Sequence, residues 1–414
     1  MQHDLVCQAC GTVHEPGGYP TGCPDCRHDG GAGRLEVSYD PSIVPEEALP
    51  SPGAETTPAD MWHYRDLLPL LPDDPVTLSE GGTPVVAVTA VSEELGVSVL
   101  LKNETVNPTW SYKDRLNSLL LSNAVHLGEE RIATSSTGNH GASTAAYASI
   151  AGAEETVVLL PPDTEPPIHA QIRAYGGEAA VVEYDARSGL LAELVDRGWY
   201  PTVNVTDPYS GLPYSYEAYR TIAFELVDAL PAVPDAILAA IGDGDGLYGT
   251  WKGFRELAEW GVIDEPPRMI GVQPAERTAV VEALESGADT VGVSEGPMPI
   301  TTSAGGMSPA DHTLRAIRES DGWAYPVERS AIEAAIRTVG RSGVFLEPAS
   351  AITVAGVEQA VSDGLLDPGE TAVCLGTGAG VKWPDHAEGA VGTVTRIEPT
   401  IDALGDAVDV RIDG

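Results

Sequence analysis

The stretch Asn107-Pro108-Thr109-Trp110-Ser111-Tyr112-Lys113-Asp114-Arg115 decides how the rest of the chain is read. Asn-Pro breaks the backbone, and the residues that follow predict a helix over Tyr112–Leu127, with Lys113 at its start. A lysine at a helix N-terminus feels the positive end of the macrodipole, which favours the neutral, nucleophilic amine. Such an amine can form a Schiff base with an aldehyde. Taken alone, a solvated surface lysine is the commoner reading. The lysine count sharpens the point. Only Lys102, Lys113, Lys252 and Lys382 occur among 414 residues, and the other side-chain cations are arginines or histidines. Each lysine is therefore a candidate for a specific task.

Three further segments follow apolar runs. Ser135-Ser136-Thr137-Gly138-Asn139-His140-Gly141 opens a helical stretch, so its amides and the hydroxyls of Ser136 and Thr137 form a ready anion site, one that fits a substrate carboxylate. A routine helix cap with a glycine turn explains the same residues. Gly242-Asp243-Gly244-Asp245-Gly246 lies between the strand candidate Ala236–Ile241 and a helix expected from Leu247. Its alternating glycines free the amides to wrap a phosphate at the helix N-terminus. Its two aspartates oppose that use, and a metal loop is the competing idea, although the EF-hand pattern is absent. Thr377, in Cys374-Leu375-Gly376-Thr377-Gly378-Ala379-Gly380, follows a strand at its carboxyl end, where open α/β sheets bind ligands. Cys374 is most simply a buried thiol.

From Pro84 onward, apolar runs alternate with helical periods, the pattern of an α/β fold with a mainly parallel sheet. The strand candidates are Val97–Lys102, Thr156–Leu160, Ala179–Glu183, Ala236–Ile241, Arg268–Val272 and Thr371–Leu375. The helix candidates include Tyr112–Leu127, His140–Ile150, Tyr216–Leu230 and Ala349–Val361. Residues 40–75 form a proline-rich, acidic linker with a short helix near Trp62–Leu68. Gly389 to Gly414 alternates weakly and suggests an edge hairpin.

The N-terminal segment carries Cys7-Gln-Ala-Cys10 and Cys23-Pro-Asp-Cys26. Two such pairs supply four thiolates to a closed tetrahedral site, which makes a structural zinc ribbon the favoured reading over a redox pair, a ribbon that has lost its metal or a disulfide framework. No basic patch flanks it, so a scaffold role is preferred to nucleic-acid binding.

Lys and Arg total 23 against 62 Asp and Glu, a formal net charge of −39. That balance disfavours any polyanion partner. Acidic residues are spread along the chain, as in Glu93-Glu94, Glu129-Glu130 and Glu154-Glu155, which suggests a halophilic acidic surface; an ordinary acidic enzyme is the alternative. No long apolar run spans a membrane and no signal peptide is evident, so a cytoplasmic protein is expected.

Taken in order, these segments resemble the fold-type II family of pyridoxal-phosphate (PLP) enzymes, and within it the threonine synthase-like branch, over roughly residues 79–385. Ser79-Glu80-Gly81-Gly82-Thr83-Pro84 resembles the family's EGGTP segment, Asn107 to Arg115 its NPTGSFKDR, and Ser136 to His140 its STGN loop. Gly242 to Gly246 resembles the phosphate cup, Glu347-Pro348-Ala349-Ser350-Ala351 matches EPASA, and Thr377 to Lys382 resembles TGHGLK. The resemblance implies Lys113 as the Schiff-base and catalytic lysine and Asn139 against the cofactor's 3′-oxygen. It also implies Gly242, Asp243, Gly244, Asp245 and Gly246 around the cofactor phosphate, and Thr377 at the pyridine nitrogen. Ser136, Thr137 and His140 would face the substrate, and Cys7, Cys10, Cys23 and Cys26 would hold zinc, since relatives often carry such a ribbon.

The implied reaction converts O-phospho-L-homoserine and water to L-threonine and phosphate, with a small amino acid as the only partner and a homodimer compatible with the reading. Several positions depart from the family pattern. Trp110 and Leu116 replace glycines, Tyr112 a phenylalanine, Ala379 a histidine, and His140 a threonine common in threonine synthases. The NP-x-R segment expected to supply an arginine reads Asp207-Pro208-Tyr209-Ser210. These departures keep a paralogue open that performs β-elimination or β-replacement, such as a threonine or serine dehydratase or a cysteate synthase-like enzyme. A catalytically silent ribbon protein would predict damage at Lys113 or Asn139, and neither is damaged. The implied architecture is a zinc-ribbon segment (1–40), a large α/β cofactor domain (41–105 and 191–414) and a small mobile α/β domain (106–190).

Overall fold

Three sheets organise the chain, whose computed structural model describes residues 2–27, 33–206, 209–294, 296–305 and 310–408. The first is antiparallel and contains β1 (His3–Cys7), β2 (Val13–His14) and β3 (Leu35–Tyr39) in the order β2-β1-β3. His3, Leu5 and Cys7 alternate inward along β1, the period-2 sign of one buried face. That face is closed by the rest of the molecule. Tyr216 Oη donates to Leu35 O at 2.8 Å and Lys252 Nζ to Val37 O at 3.2 Å.

The remaining strands are β4 (Val85–Ala87), β5 (Ser98–Asn103), β6 (Arg131–Ser135), β7 (Glu155–Leu160), β8 (Glu178–Val181) and β9 (Tyr200–Pro201). They continue with β10 (Ala236–Ala240), β11 (Arg268–Pro274), β12 (Trp323–Val327) and β13 (Thr371–Gly376). A four-stranded parallel sheet runs β8-β7-β6-β9. A six-stranded sheet runs β12-β11-β10-β13-β5-β4, parallel except for the edge strand β4. Runs such as Ala236-Ile-Leu-Ala-Ala240 are apolar on both faces because helices cover both sides of a parallel sheet.

Each expected strand is present, with its ends moved by a residue or two. The helix expected from Tyr216 begins only at Arg220, because Tyr214, Tyr216 and Tyr219 are buried in turns ahead of it. The short helix near Trp62 is a 3-10 helix, Met61–Leu67, capped by the Asp60 carboxylate on Trp62 N. The terminal hairpin is overturned. Pro384–Val391 and Ile401–Ala407 are helices, one with proline in its first turn and the other capped by Thr400 Oγ1 on Ala403 N. Residues 409–414 of that stretch lie outside the described residues.

Two ion networks are buried between these layers. In one, Arg115 and Lys102 pair with Glu104 and Glu225. In the other, Arg220 and Lys252 pair with Glu217 and Glu256. Each sets two cations against two carboxylates, so each is neutral as a unit, the condition under which buried charge is tolerated.

Candidate active site

Lys113 is the first residue of the helix Lys113–His126, as the Asn-Pro break suggested. Its loop is tied to the exit of β13: Tyr112 N donates to Thr377 O at 2.9 Å, Ser111 bridges Gly378, and Ala379 N donates to Trp110 O at 3.0 Å. These bonds hold Trp110 at φ +65°, a left-handed conformation that a tryptophan rarely adopts. The next residue, Asp114, turns away from the cleft. Its carboxylate accepts from Thr109 N at 2.7 Å and Ser143 Oγ at 2.7 Å, and burial pushes it up to about 6 in spite of those donors.

The lysine amine differs from expectation. Burial pulls it down, but Tyr112 and the carboxylates of Asp245 and Asp243 outweigh burial and hold it above the ordinary lysine range. The adjacent Tyr112 and the carboxylates of the glycine loop thus outweigh the macrodipole, whose influence fades within one turn. The other three lysines are buried and have protein partners: Lys102 on Glu225, Lys252 on Glu217 and Glu256, and Lys382 on the Thr109 carbonyl at 2.8 Å. Among the described residues, Lys113 has no carboxylate within ion-pair distance, and it lies in the field of Tyr112 and of Asp245 and Asp243 in the glycine loop.

The second segment opens the helix Asn139–Ala151. Ser136 Oγ accepts from Gly138 N at 3.0 Å and Gly141 N at 2.9 Å, so it shapes this turn from within. Thr137 is half-buried beside it. Asn139 is clamped by Glu347, its Nδ2 lying 2.9 and 2.8 Å from the two carboxylate oxygens. Gly378 is required here, since a Cβ would fall 2.6 Å from Glu347 Oε1 and 2.7 Å from Asn139 Nδ2. His140 meets Thr202 Oγ1 at 2.9 Å, and burial followed by the Lys113 charge drives its imidazole down to about 3, so it is neutral.

The glycine loop ends at the helix Asp245–Glu259, with Gly244 at φ +97° as its cap. The two aspartates separate. Asp245 Oδ1 accepts from Tyr209 Oη at 2.8 Å and meets His312 Nε2 at 3.1 Å, and Ser215 Oγ lies 3.4 Å from Oδ2. Asp243 is exposed to solvent although many protein atoms lie around it. Burial and the neighbouring Asp245 charge push it up to about 6. Thr377 Oγ1 lies 3.0 Å from Ser350 Oγ, which also accepts from Gly378 N at 2.8 Å. A pyridine cofactor with a phosphate fits this cleft. Asn139 Oδ1 and Ser111 Oγ are buried polar atoms without a protein hydrogen-bond partner, Gly378 pairs with Ser111 and lies against Asn139, and the glycine-bordered start of the Asp245–Glu259 helix carries a carboxylate that acts on Lys113.

Residues 76–378 match the model of a family described as pyridoxal-phosphate dependent enzyme. The chain belongs to this family. Within it, the chain is 32% identical to the threonine synthase of Methanosarcina acetivorans over 415 residues, covering 99% of each. It is 36% identical to that of Mycobacterium bovis over 330 residues, covering 78% of this chain and 88% of the relative. Among solved structures, the fold is similar to a fungal L-serine ammonia-lyase from Rhizomucor miehei, with TM-score 0.65, 20% identity and coverage of 77% and 98%. It is also similar to a processed threonine deaminase isoform from Solanum lycopersicum, with TM-score 0.63, 21% identity and coverage of 75% and 88%.

Against the family pattern, the glutamate of the EGGTP segment is structural: Glu80 accepts from Trp62 Nε1 at 2.7 Å and Tyr147 Oη at 2.6 Å. Sequence reasoning missed Glu347 as the clamp on Asn139, although the EPASA match had singled it out. It also missed Thr202 and His312, which carry no motif of their own. Of the segment expected to hold an arginine, Asp207 and Pro208 lie outside the described residues, while Tyr209 serves Asp245 and Ser210 Oγ bonds Thr206 Oγ1 at 2.7 Å.

A second site gathers Cys7, Cys10, Cys23 and Cys26, whose sulfurs lie within 4.8 Å of one another. Cys7 and Cys26 are 3.6 Å apart and Cys10 and Cys23 3.8 Å. Four sulfurs at about 2.3 Å from one tetrahedral ion would be about 3.8 Å apart, so the donor set fits zinc. His14 Nε2 also comes within 3.2 Å of Cys23 Sγ.

Proposed function

We propose that this chain is a threonine synthase, converting O-phospho-L-homoserine and water to L-threonine and phosphate. The observation that carries the reading is the position of Lys113, the one lysine without an ion pair or carbonyl partner, between the asparagine turn, the glycine loop and Thr377. Pyridoxal phosphate, when bound, supplies an electron sink for charge developing at the substrate's α carbon. Lys113 holds the cofactor and its Nζ moves protons at the substrate's Cα and Cβ. Asn139, aligned by Glu347, stands at the 3′-oxygen, and Thr377 at the pyridine nitrogen. A hydroxyl there leaves the ring less protonated than a carboxylate would, which favours elimination and replacement over transamination.

The turn at Ser136 and Thr137 takes the substrate carboxylate at a helix N-terminus, and neutral His140 adds no competing charge. The glycines and amides of residues 242–246 take the cofactor phosphate. The small α/β unit, residues 106–190, closes over the substrate and excludes water. The four thiolates hold one structural zinc, and free thiols arranged for a metal suit a reducing cytoplasm.

A second reading, β-elimination or β-replacement on a hydroxy amino acid, is favoured by Ser210 at the place expected for an arginine and by His140. The test is phosphate release from O-phosphohomoserine in high-salt buffer, with threonine detected as product, run beside O-phosphoserine, serine and threonine. Phosphate and threonine together, both abolished in Lys113→Ala, are expected. A keto acid or a replacement product from another substrate, with nothing from O-phosphohomoserine, selects the second reading.

A further inference from the structure

Tyr112 touches three parts of the cleft at once. Its ring stacks on Tyr219, with centroids 4.7 Å and planes 27° apart, and Lys113 Nζ lies 4.9 Å from its centroid. Its far edge meets the glycine loop, because a Cβ built on Gly246 would lie 2.7 Å from Cε2 and 2.9 Å from Oη of Tyr112. The phenol hydroxyl is therefore at the first turn of the Asp245–Glu259 helix, where amide N–H groups have no partner within the helix. Beside it, Tyr219 is fully buried. Two stacked phenols thus border the space that the loop amides face.

That loop has a reason to recruit a donor. Asp243 and Asp245 bring carboxylates to a place suited to an anion, and the loop residues 242–246 contain no side-chain cation. Tyr209 and His312 engage Asp245, which draws that carboxylate to their side but adds nothing for an incoming phosphate. A phenol can donate one hydrogen bond, and donation to an ionised oxygen is about twice as strong as a neutral pair. Gly246 is the complement of this arrangement, since any side chain there would displace the phenol.

We propose that Tyr112 Oη is a ligand of the cofactor's phosphate group, compensating for the two aspartates of the loop. The proposal rests on the pyridoxal-phosphate reading above. It predicts that the hydroxyl discriminates pyridoxal phosphate from pyridoxal, which has the same ring and aldehyde but no phosphate.

The test strips the full-length chain of cofactor and titrates wild type and Tyr112→Phe with each compound, following absorbance. Phenylalanine keeps the ring and its stacking. The expected result is a loss of affinity for pyridoxal phosphate of roughly 10- to 100-fold, the size of one hydrogen bond to a charged group, with affinity for pyridoxal unchanged. Gly246→Ala, which crowds the phenol off the loop, is expected to show the same selective loss. Unchanged affinity for pyridoxal phosphate in Tyr112→Phe overturns the proposal and leaves the cofactor reading intact. Equal losses for both compounds also overturn it, since the hydroxyl would then serve Lys113. Failure of the wild type to take up either compound overturns the cofactor reading itself, and this proposal with it.

Discussion

Replacing Glu225 with glutamine is expected to destabilise the chain far more than its single lost charge suggests. The side chain is fully buried and accepts from Lys102 Nζ at 2.6 Å, Arg115 Nη1 and Nη2 at 2.5 and 2.8 Å, Gly82 N at 2.9 Å and Thr83 N at 3.3 Å. Among the described residues, Lys102 and Arg115 pair only with Glu104 and Glu225, so the amide leaves one uncompensated buried cation and turns an NH2 group toward donors. Breaking a buried pair from one side costs about 3–5 kcal/mol. With a urea dependence on the order of 3 kcal/mol per molar, the midpoint falls by about 1 M. Screening does not reach these side chains, so the loss is equally large in high salt. Burial raises the Glu225 carboxyl, but Arg115 and Lys102 outweigh it and set it at about 2. A folded-state value below the unfolded one means that this stability is fully present above about pH 4.5 and disappears as pH falls through about 2. Equilibrium urea unfolding of wild type and Glu225→Gln at neutral pH, in low and high salt, measures both claims. A shift below about 0.2 M that shrinks further in salt is the behaviour of an exposed pair, and would refute the assignment of this network as a dry, charge-balanced unit.

Two other outcomes follow from the ribbon and the surface. Metal analysis is expected to find about one zinc per chain, lost in Cys7→Ser together with the docking of β3, because a four-thiolate site contributes folding energy outright; a fully folded ribbon in metal-free protein would exclude a structural zinc. With a formal net charge of −39, thermal stability should rise as sodium chloride goes from about 0.15 M to about 1 M, where the Debye length shrinks from about 8 Å to about 3 Å. A flat or falling melting temperature over that range rejects the halophilic reading of the surface.

Much of the site was legible because local chemistry and local structure coincide there. The Asn-Pro break placed Lys113 at a helix start, and Gly244 and Gly378 are glycines for reasons that the backbone shows: a positive φ at one, and no room for a Cβ at the other. What stayed hidden depends on long-range approach. Glu347 and Asn139 are 208 positions apart, and His140 and Thr202 are 62 apart, so no periodicity could join them. The terminal hairpin failed for a different reason. The residues between Gly389 and Gly414 alternate weakly, as in a strand, yet Pro384 in the first turn of the preceding helix and Thr400 as a cap are stronger local instructions, and they favour helices.

The aspartates of the glycine loop are better understood through Lys113 than through the phosphate. A chain with four lysines spends three of them inside, each fixed by a carboxylate or a carbonyl. The fourth has no carboxylate or carbonyl partner and is acted on by Tyr112 and, from the glycine loop, by Asp245 and Asp243. Together with Tyr112, those charges hold its amine above the ordinary lysine range against the pull of burial. A phosphate arriving at the loop would repel the same carboxylates, and Asp243, already at about 6, is the one that can take up a proton in response. Neutralising Asp243 would remove one of the charges that act on Lys113, so a phosphate bound at this loop would be linked to the lysine's charge through that side chain. On this reasoning Asp243→Asn should lower the protonation pKa of Lys113 in the cofactor-free chain, measured as faster pH-dependent labelling of that lysine. A labelling profile identical to wild type would separate the two events.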